Sequence, residues 1–393
     1  MPESPFANRL LVVDDDPAFA DLMRRIGEQL GFEIMLAEDG EGVATSVRSW
    51  RPSVIMLDLK MPRTDGIQLL RALAADKCAA HVVVTSGHDG KVLDAAVQLG
   101  RERGLKMSGV MQKPMRIEGI RDLLSGFKPV PRNLLSAELA NAIASDELFL
   151  EYQPKLDYAA GRITGVEALV RWRHPTFGVV RPDQFIALAE ESRLIHRLTD
   201  WVVAAATRQS AAWSAGNLAL EMAVNISAKD IEDLDLPERL DQHCRDAGVD
   251  PASITLELTE TGAMREAVQM MDVLTRLRLK GFKLSIDDFG TGYSSLVQLQ
   301  RLPFSELKVD RSFVMQMLGN QGCRVICEIV IDLAGKLGLK SVAEGVEEGA
   351  ALASLNNMGC NTAQGFYLSR PIAPDLIPDF VRGYDPGRAV SAA

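Results

Sequence analysis

SVIMLDLKMPRTDG, residues 53–66, sets an apolar run against an aspartate, a lysine and a turn signal of proline, aspartate and glycine. Such a run, too short for a helix and bounded by turn formers, predicts a strand buried on both faces, with Asp58 at its carboxyl end. Outward from it, RLLVV (9–13), EIMLA (33–37), HVVVT (81–85) and MSGVM (107–111) have the same character. Amphipathic stretches follow the five runs in turn, at 17–30, 40–48, 65–75, 90–101 and 116–125. Five strand–helix repeats predict an α/β fold, a doubly wound parallel sheet with helices on both faces, whose ligands belong at the strands' carboxyl ends.

Polar residues gather at those ends: Asp14 and Asp15, Asp58, Ser86 and Lys113. Three converging carboxylates repel one another unless a cation sits among them. Oxygen-only ligands point to one Mg²⁺, and a carboxylate beside it can accept a phosphoryl group, with Ser86 and Lys113 placed to bond its oxygens. Helix capping accounts for Asp15 or Asp16 before Pro17, but not for Asp58 together with Lys113-Pro114. These elements (Asp14-Asp15, LDLKMPRTDG, Ser86-Gly87 and Lys113-Pro114) resemble the receiver domain of bacterial response regulators over residues 8–128. The resemblance implies a flavodoxin-like fold, Asp58 as phosphoacceptor and a sensor histidine kinase as phosphodonor. The family often carries an aromatic switch residue three positions before the lysine; Val110 stands there.

FKPVPR (127–132) lacks helical periodicity and marks a domain boundary, with residues 129–132 as linker. A chain of 393 residues, at roughly 150 per domain, predicts two or three domains. Residues 133–385 form a second βα series of the size of a TIM-like (β/α)8 barrel. Strand-like runs end near 169, 226, 258, 287, 309, 343 and 363, and helical patterns cover 182–193 and 197–213. In the latter, Trp201, Ala205 and Ala212 share one face beside Val202.

At the predicted strand ends stand Glu167, Asn225, Glu257, Asp287 and Asp288, Lys308 and Asp310, Glu344 and Gln364. Active sites of this fold lie on that face, so these residues converge. Six carboxylates with one Asn make a hard-oxygen set suited to two Mg²⁺ or Mn²⁺ ions. Such a pair suits phosphodiester hydrolysis, where attacking and leaving oxygens both need neutralising. Lys308 is placed to orient the attacking water, and Glu344 to act on its proton. Taken singly, Glu167 and Glu257 also read as buried ion-pair partners, Asn225 as satisfying backbone groups and GTGYSS (290–295) as a turn.

These strings resemble the EAL family of cyclic-di-GMP phosphodiesterases, whose name motif stands here as Glu167-Ala168-Leu169. The resemblance implies that Glu167, Asn225, Glu257 and Asp287 are metal ligands, with Asp288 and Asp310 serving the second ion. It gives Lys308 and Glu344 the nucleophilic water, and Gln153, Arg171 and Gln364 the dinucleotide. DFGTGYSSL (288–296) matches the family's mobile loop, with Glu260 as its anchor. The reading is a phosphorylation-controlled enzyme that opens cyclic-di-GMP to linear pGpG. Its rivals are a non-hydrolysing cyclic-di-GMP receptor and a protein-interaction scaffold.

The formal charge of −10 offers no broad cationic face for nucleic acid, so no DNA binding is expected. Five cysteines, odd in number and without a Cys-x-x-Cys pair, support neither a zinc site nor a disulfide framework. No apolar run reaches the ~20 residues of a membrane span, and MPESPFANR has no signal-peptide core, so a cytoplasmic protein is expected. Assembly into a dimer or higher oligomer through the barrel domain is also expected.

Overall fold

The apolar runs of the amino-terminal unit become β1 (Arg9–Val13), β2 (Glu33–Ala37), β3 (Val54–Asp58), β4 (His81–Ser86) and β5 (Lys106–Gln112). The structure, a computed structural model, describes residues 9–40, 42–61, 65–87, 90–113, 117–125, 127, 135–180, 182–260, 267–290 and 296–384. The five strands form a parallel sheet in the order β2-β1-β3-β4-β5. Period-two alternation divides its core: Leu11, Ile55, Leu57, Val82 and Val84 pack on one face, and Leu10, Val12, Val54, Met56 and Val83 on the other. All five positions of β3 are therefore buried, as expected of a strand covered by helices on both faces. Asp16 caps the first helix (Pro17–Gln29), its Oδ1 accepting from the Ala18 N–H at 2.9 Å. That cap leaves Asp14 and Asp15 for other work.

The chain divides into two units, Met1–Leu134 and Leu135–Ala393. In the second, β6 (Leu148–Asp157), β7 (Arg162–His174), β9 (Glu221–Asn225), β10 (Ile254–Thr259), β11 (Lys283–Phe289), β12 (Glu306–Val309), β13 (Lys340–Ala343) and β14 (Thr362–Ala363) close into an eight-stranded barrel. A short β8 (Gly178–Val180) pairs with β7 outside the ring. β6 is absent from the strands expected above, and it runs antiparallel to both neighbours. The reason is local: only Tyr158 to Gly161 separate β6 from β7, too few residues for a crossover helix, so the chain must return as a hairpin. Gly161 takes the left-handed conformation at φ 61° that closes the turn.

The helix expected over 197–213 spans Ile195–Ala215, and its inward face is not the one that Trp201, Ala205 and Ala212 share. Val202, Val203, Ala206, Thr207, Ser210 and Trp213 face inward, while Trp201 and Ala205 are half-buried and Ala212 is exposed. Trp213 decides the rotation: its ring meets Tyr152 of β6 edge-on at 4.8 Å and its Nε1–H donates to Pro374 O. Among the described residues no helix is long and apolar enough to cross a membrane.

Gly66 opens the helix that follows β3 (Gly66–Ala75), and a Cβ there would lie 2.7 Å from Leu59 Cα and 2.9 Å from Asp58 O. Gly66→Ala should therefore destabilise the amino-terminal unit by ~1–3 kcal/mol. Urea denaturation reads this as a lower midpoint, and an unchanged midpoint contradicts the packing described.

Candidate active site

In the amino-terminal unit, β1 and β3 end side by side and deliver Asp14 and Asp58, both buried. Carboxylate oxygens of Asp14, Asp15 and Asp58 lie within 4.8 Å of one another. Lys113, just after β5, places Nζ 2.7 Å from Asp14 Oδ2 and 2.7 Å from Asp58 Oδ2, and 4.5 Å from the centre of the Phe19 ring. Burial opposes the Lys113 charge, but the hydrogen bonds to Asp14 and Asp58 outweigh it and raise its pKa. Burial raises the Asp14 pKa against the pull of Lys113. The second Asp58 oxygen accepts from the Lys60 N–H at 2.9 Å. The Ser86 side chain and residues 114–116 lie outside the described residues.

The barrel site is built around Lys308, which β12 places between β11 and β13 with no solvent exposure. Its Nζ lies 2.6 Å from Glu257 Oε2 (β10), 3.1 Å from Asp287 Oδ2 (β11) and 2.6 Å from Glu344 Oε1, just past β13. A second buried lysine, Lys155 of β6, donates to the other Glu257 oxygen at 2.7 Å. Burial opposes ionisation of Glu257, but the two lysines hold its carboxyl down at about 2. Burial likewise opposes the Lys308 charge, while Asp287, Glu257 and Glu344 raise its pKa well above the ordinary value.

Asp287 and Asp288 are consecutive, and in a regular strand they would point to opposite faces. The β11–β12 register shifts between Ile286 and Phe289, and Asp288 takes a left-handed φ of 57°. This bulge brings both carboxylates to one side. Oxygens of Asp287, Asp288 and Glu344 then lie within 4.8 Å of one another. Burial, then Asp287 and Asp310, push the Asp288 carboxyl up to about 7. Burial pushes Glu344 up to about 8 against the attraction of Lys308. Asp310 is buried and caps the helix Arg311–Gln316 by accepting from the Ser312 N–H at 2.9 Å.

A chain of amides joins the remaining strands. Asn225 Nδ2 donates to Glu167 Oε1 at 2.7 Å, and Gln364 Nε2 donates to Glu167 Oε2 at 2.6 Å and to Gln153 Oε1 at 2.8 Å. Gln364 Oε1 is buried without a hydrogen-bond partner, an acceptor left unsatisfied beside Glu167 and Gln153. Arg171 donates through Nε to Glu151 Oε2 across the β6–β7 pair at 2.8 Å. Glu260 accepts from the Gly290 N–H at 2.8 Å, tying the end of β10 to the start of the 288–296 loop, of which 291–295 lie outside the described residues. The sequence reading did not single out Lys155, although it stands two residues beyond Gln153 and so on the same strand face. Nor did it give Arg171 its partner Glu151.

The oxygen donors fit hard cations: the burial and the neighbouring carboxylates that raise Asp288 and Glu344 are what a divalent ion offsets. Comparison with known proteins agrees with this architecture. The chain belongs to the EAL domain family, whose model matches residues 136–371. The response regulator receiver domain model matches residues 10–125. The cyclic di-GMP phosphodiesterase RocR of Pseudomonas aeruginosa is 32% identical over 391 residues, covering 95% of this chain and 98% of that protein. The cyclic di-GMP phosphodiesterase NbdA of the same organism is 43% identical over 251 residues, 64% of this chain and 32% of that protein. The chain spans less than half of the length of several curated relatives it matches. A solved structure described as the PaMucR phosphodiesterase in complex with c-di-GMP superposes with a TM-score of 0.59 at 40% identity, covering 61% of this chain and 98% of that one.

With a chelator present, the folded chain keeps protons on Asp288 and Glu344 in a range where the unfolded chain has released them. These two groups should therefore lower stability as pH rises from about 5 to about 8. Glu257 acts oppositely, its contribution being present above its unfolded value and lost as pH falls towards about 2. Urea midpoints in EDTA should decline across the first interval, and Glu344→Gln should flatten that decline; an equally steep decline in the variant contradicts the assignment.

Proposed function

We propose that this chain is a response regulator whose barrel hydrolyses cyclic-di-GMP to linear 5′-pGpG under the control of phosphorylation at Asp58. The observation that carries the reading is Lys308, buried beneath the mouth and bonded at once to Glu257, Asp287 and Glu344. The near-full-length likeness to RocR, a cyclic di-GMP phosphodiesterase, supports the substrate.

Glu167, Asn225, Glu257 and Asp287 would hold one divalent ion, with Asp288 and Asp310 serving a second; all-oxygen donors suit Mg²⁺ or Mn²⁺. Bound there, such ions would supply charge neutralisation of the phosphodiester and a lowered pKa of the attacking water. Glu344, with its raised pKa, is suited to move that water's proton near neutral pH. Lys308 offers a charged donor that orients the water and balances charge growing on the phosphate. The Arg171 guanidinium, held by Glu151 through Nε and by the Val170 carbonyl through Nη1, offers its remaining N–H groups to a phosphate oxygen. The open Gln364 Oε1 and the Gln153 amide beside it serve a base that carries N–H donors.

In the receiver, Asp14, Asp15 and Asp58 would hold one Mg²⁺, and Asp58 accepts the phosphoryl group from a sensor histidine kinase. Lys113 and Ser86 bond the added oxygens. The loop 288–296, anchored at Glu260, is where a population shift reaches the metal ligands. The barrel is the surface for self-association, and the protein acts in the cytoplasm.

Glu344→Gln and Lys308→Ala should each lower turnover by about two to four orders of magnitude. Nucleotide chromatography with cyclic-di-GMP and Mn²⁺ measures this; near-normal hydrolysis by both variants removes the mechanism. Calcium, which tolerates irregular coordination and activates water poorly, should bind but support little turnover. Asp58→Asn should abolish any change in rate on adding a small-molecule phosphodonor, and a persisting change places the signal elsewhere.

A further inference from the structure

The barrel has a second opening. A cavity of about 590 Å³ lies at the amino-terminal ends of the strands, the end opposite Glu344. Its size is that of a small-ligand pocket. Two groups facing it are polar and incompletely bonded. Glu306 Oε1, on β12, and the hydroxyl of Ser285 beside it are buried, and neither completes a well-formed hydrogen bond. Lys155 gives one N–H to Glu257, and among the described residues no acceptor takes its other two. The two charges attract each other without meeting in a salt bridge. Interiors seldom leave such groups unanswered, so an occupant suited to this floor offers an acceptor to Lys155 and a donor to Glu306.

The rim is dipolar. Arg162 and Lys340, at the starts of β7 and β13, line one arc, and neither has an ion-pair partner among the described residues. Asp157 on the same arc spends Oδ1 on the Ala160 N–H at 2.8 Å, so two cations face one carboxylate there. Across the mouth, Glu221 is answered by Lys283 at 2.5 Å, whereas Asp250 spends one oxygen on the Ala252 N–H and keeps the other open. An anionic group therefore fits the Arg162–Lys340 arc, and a donor edge fits the side of Asp250 and Glu306.

We infer that this cavity is a binding site for a guanine mononucleotide, separate from the hydrolytic mouth. The phosphate meets Arg162 and Lys340, with Arg162 supplying the fork geometry. The base carries N–H donors for a carboxylate beside a carbonyl acceptor for Lys155. Adenine lacks that pairing of donor edge and carbonyl, and inorganic phosphate lacks the base altogether.

Calorimetry of the full chain in EDTA, with 5′-GMP as probe, tests this without requiring turnover, so it stands or falls apart from the hydrolytic reading. GMP should bind wild type at least tenfold more tightly than AMP or inorganic phosphate does. Arg162→Glu with Lys340→Glu should weaken GMP at least tenfold while the thermal unfolding midpoint is kept. Asp288→Asn, at the other mouth, should leave GMP affinity unchanged. The proposal is overturned if no heat is seen, if the Arg162/Lys340 double variant binds as well as wild type, if phosphate or AMP matches GMP, or if Asp288→Asn abolishes binding.

Discussion

A lysine with no exposure cannot be neutralised by water, so the charge of Lys308 must be answered by side chains inside the barrel. Three carboxylates answer it, from β10, β11 and the loop after β13. That requirement fixes much else. It needs β12 between β11 and β13, a closed ring to exclude solvent, and rotamers that hold three acids at one point. Burying such a group is costly unless every charge is matched, and the match here is generous: Glu257 carries a lysine on each oxygen. The lysines keep that acid ionised and oriented, while Asp288 and Glu344 nearer the mouth are pushed the other way. A gradient results, from a permanently charged floor to carboxyls poised near neutrality at the surface where chemistry is proposed.

The receiver meets the same problem on a smaller scale. Lys113 stands between Asp14 and Asp58 as Lys308 stands among Glu257, Asp287 and Glu344. In both units a lysine reaches the ends of neighbouring parallel strands, because parallel packing with helices on both faces leaves those ends as the place where polar groups gather without disrupting a core. The ammonium holds acids together that would otherwise repel, and a hard cation can share that work.

Much of this was legible in the sequence because the relevant signal is short-range. An apolar run ending in an acid names both a strand and the residue at its exit, which is why Asp58 stands at the end of β3, whereas the strand expected to end near 169 runs on to His174 and leaves Glu167 within it. What escaped was tertiary or depended on a single dihedral. β6 was missed because LFLEYQPKLD continues into the next strand through a turn and carries no helix to mark the repeat. Nothing in the pair Asp287-Asp288 announces that a bulge turns both to one side. Period alone placed the helix Ile195–Ala215 but could not say whether Trp201 or Trp213 is the one that Tyr152 receives. Lys155 was within reach, since Gln153 two positions before it was already singled out by the resemblance.

Val110 narrows the ways in which the receiver can change state. It lies on β5, the edge of the sheet, and is 37% exposed. A valine there has a single side-chain torsion and no ring, so rotation of an aromatic group between buried and exposed positions is unavailable to this chain. The mobile charge that remains is Lys113, which serves Asp14 and Asp58 together while resting near Phe19. A phosphoryl group on Asp58 adds strong acceptors and negative charge on one side of that ammonium. The lysine's three N–H groups must then be shared anew between Asp14 and the modified Asp58, and the backbone that carries Lys113 out of β5 is the element that this redistribution pulls upon.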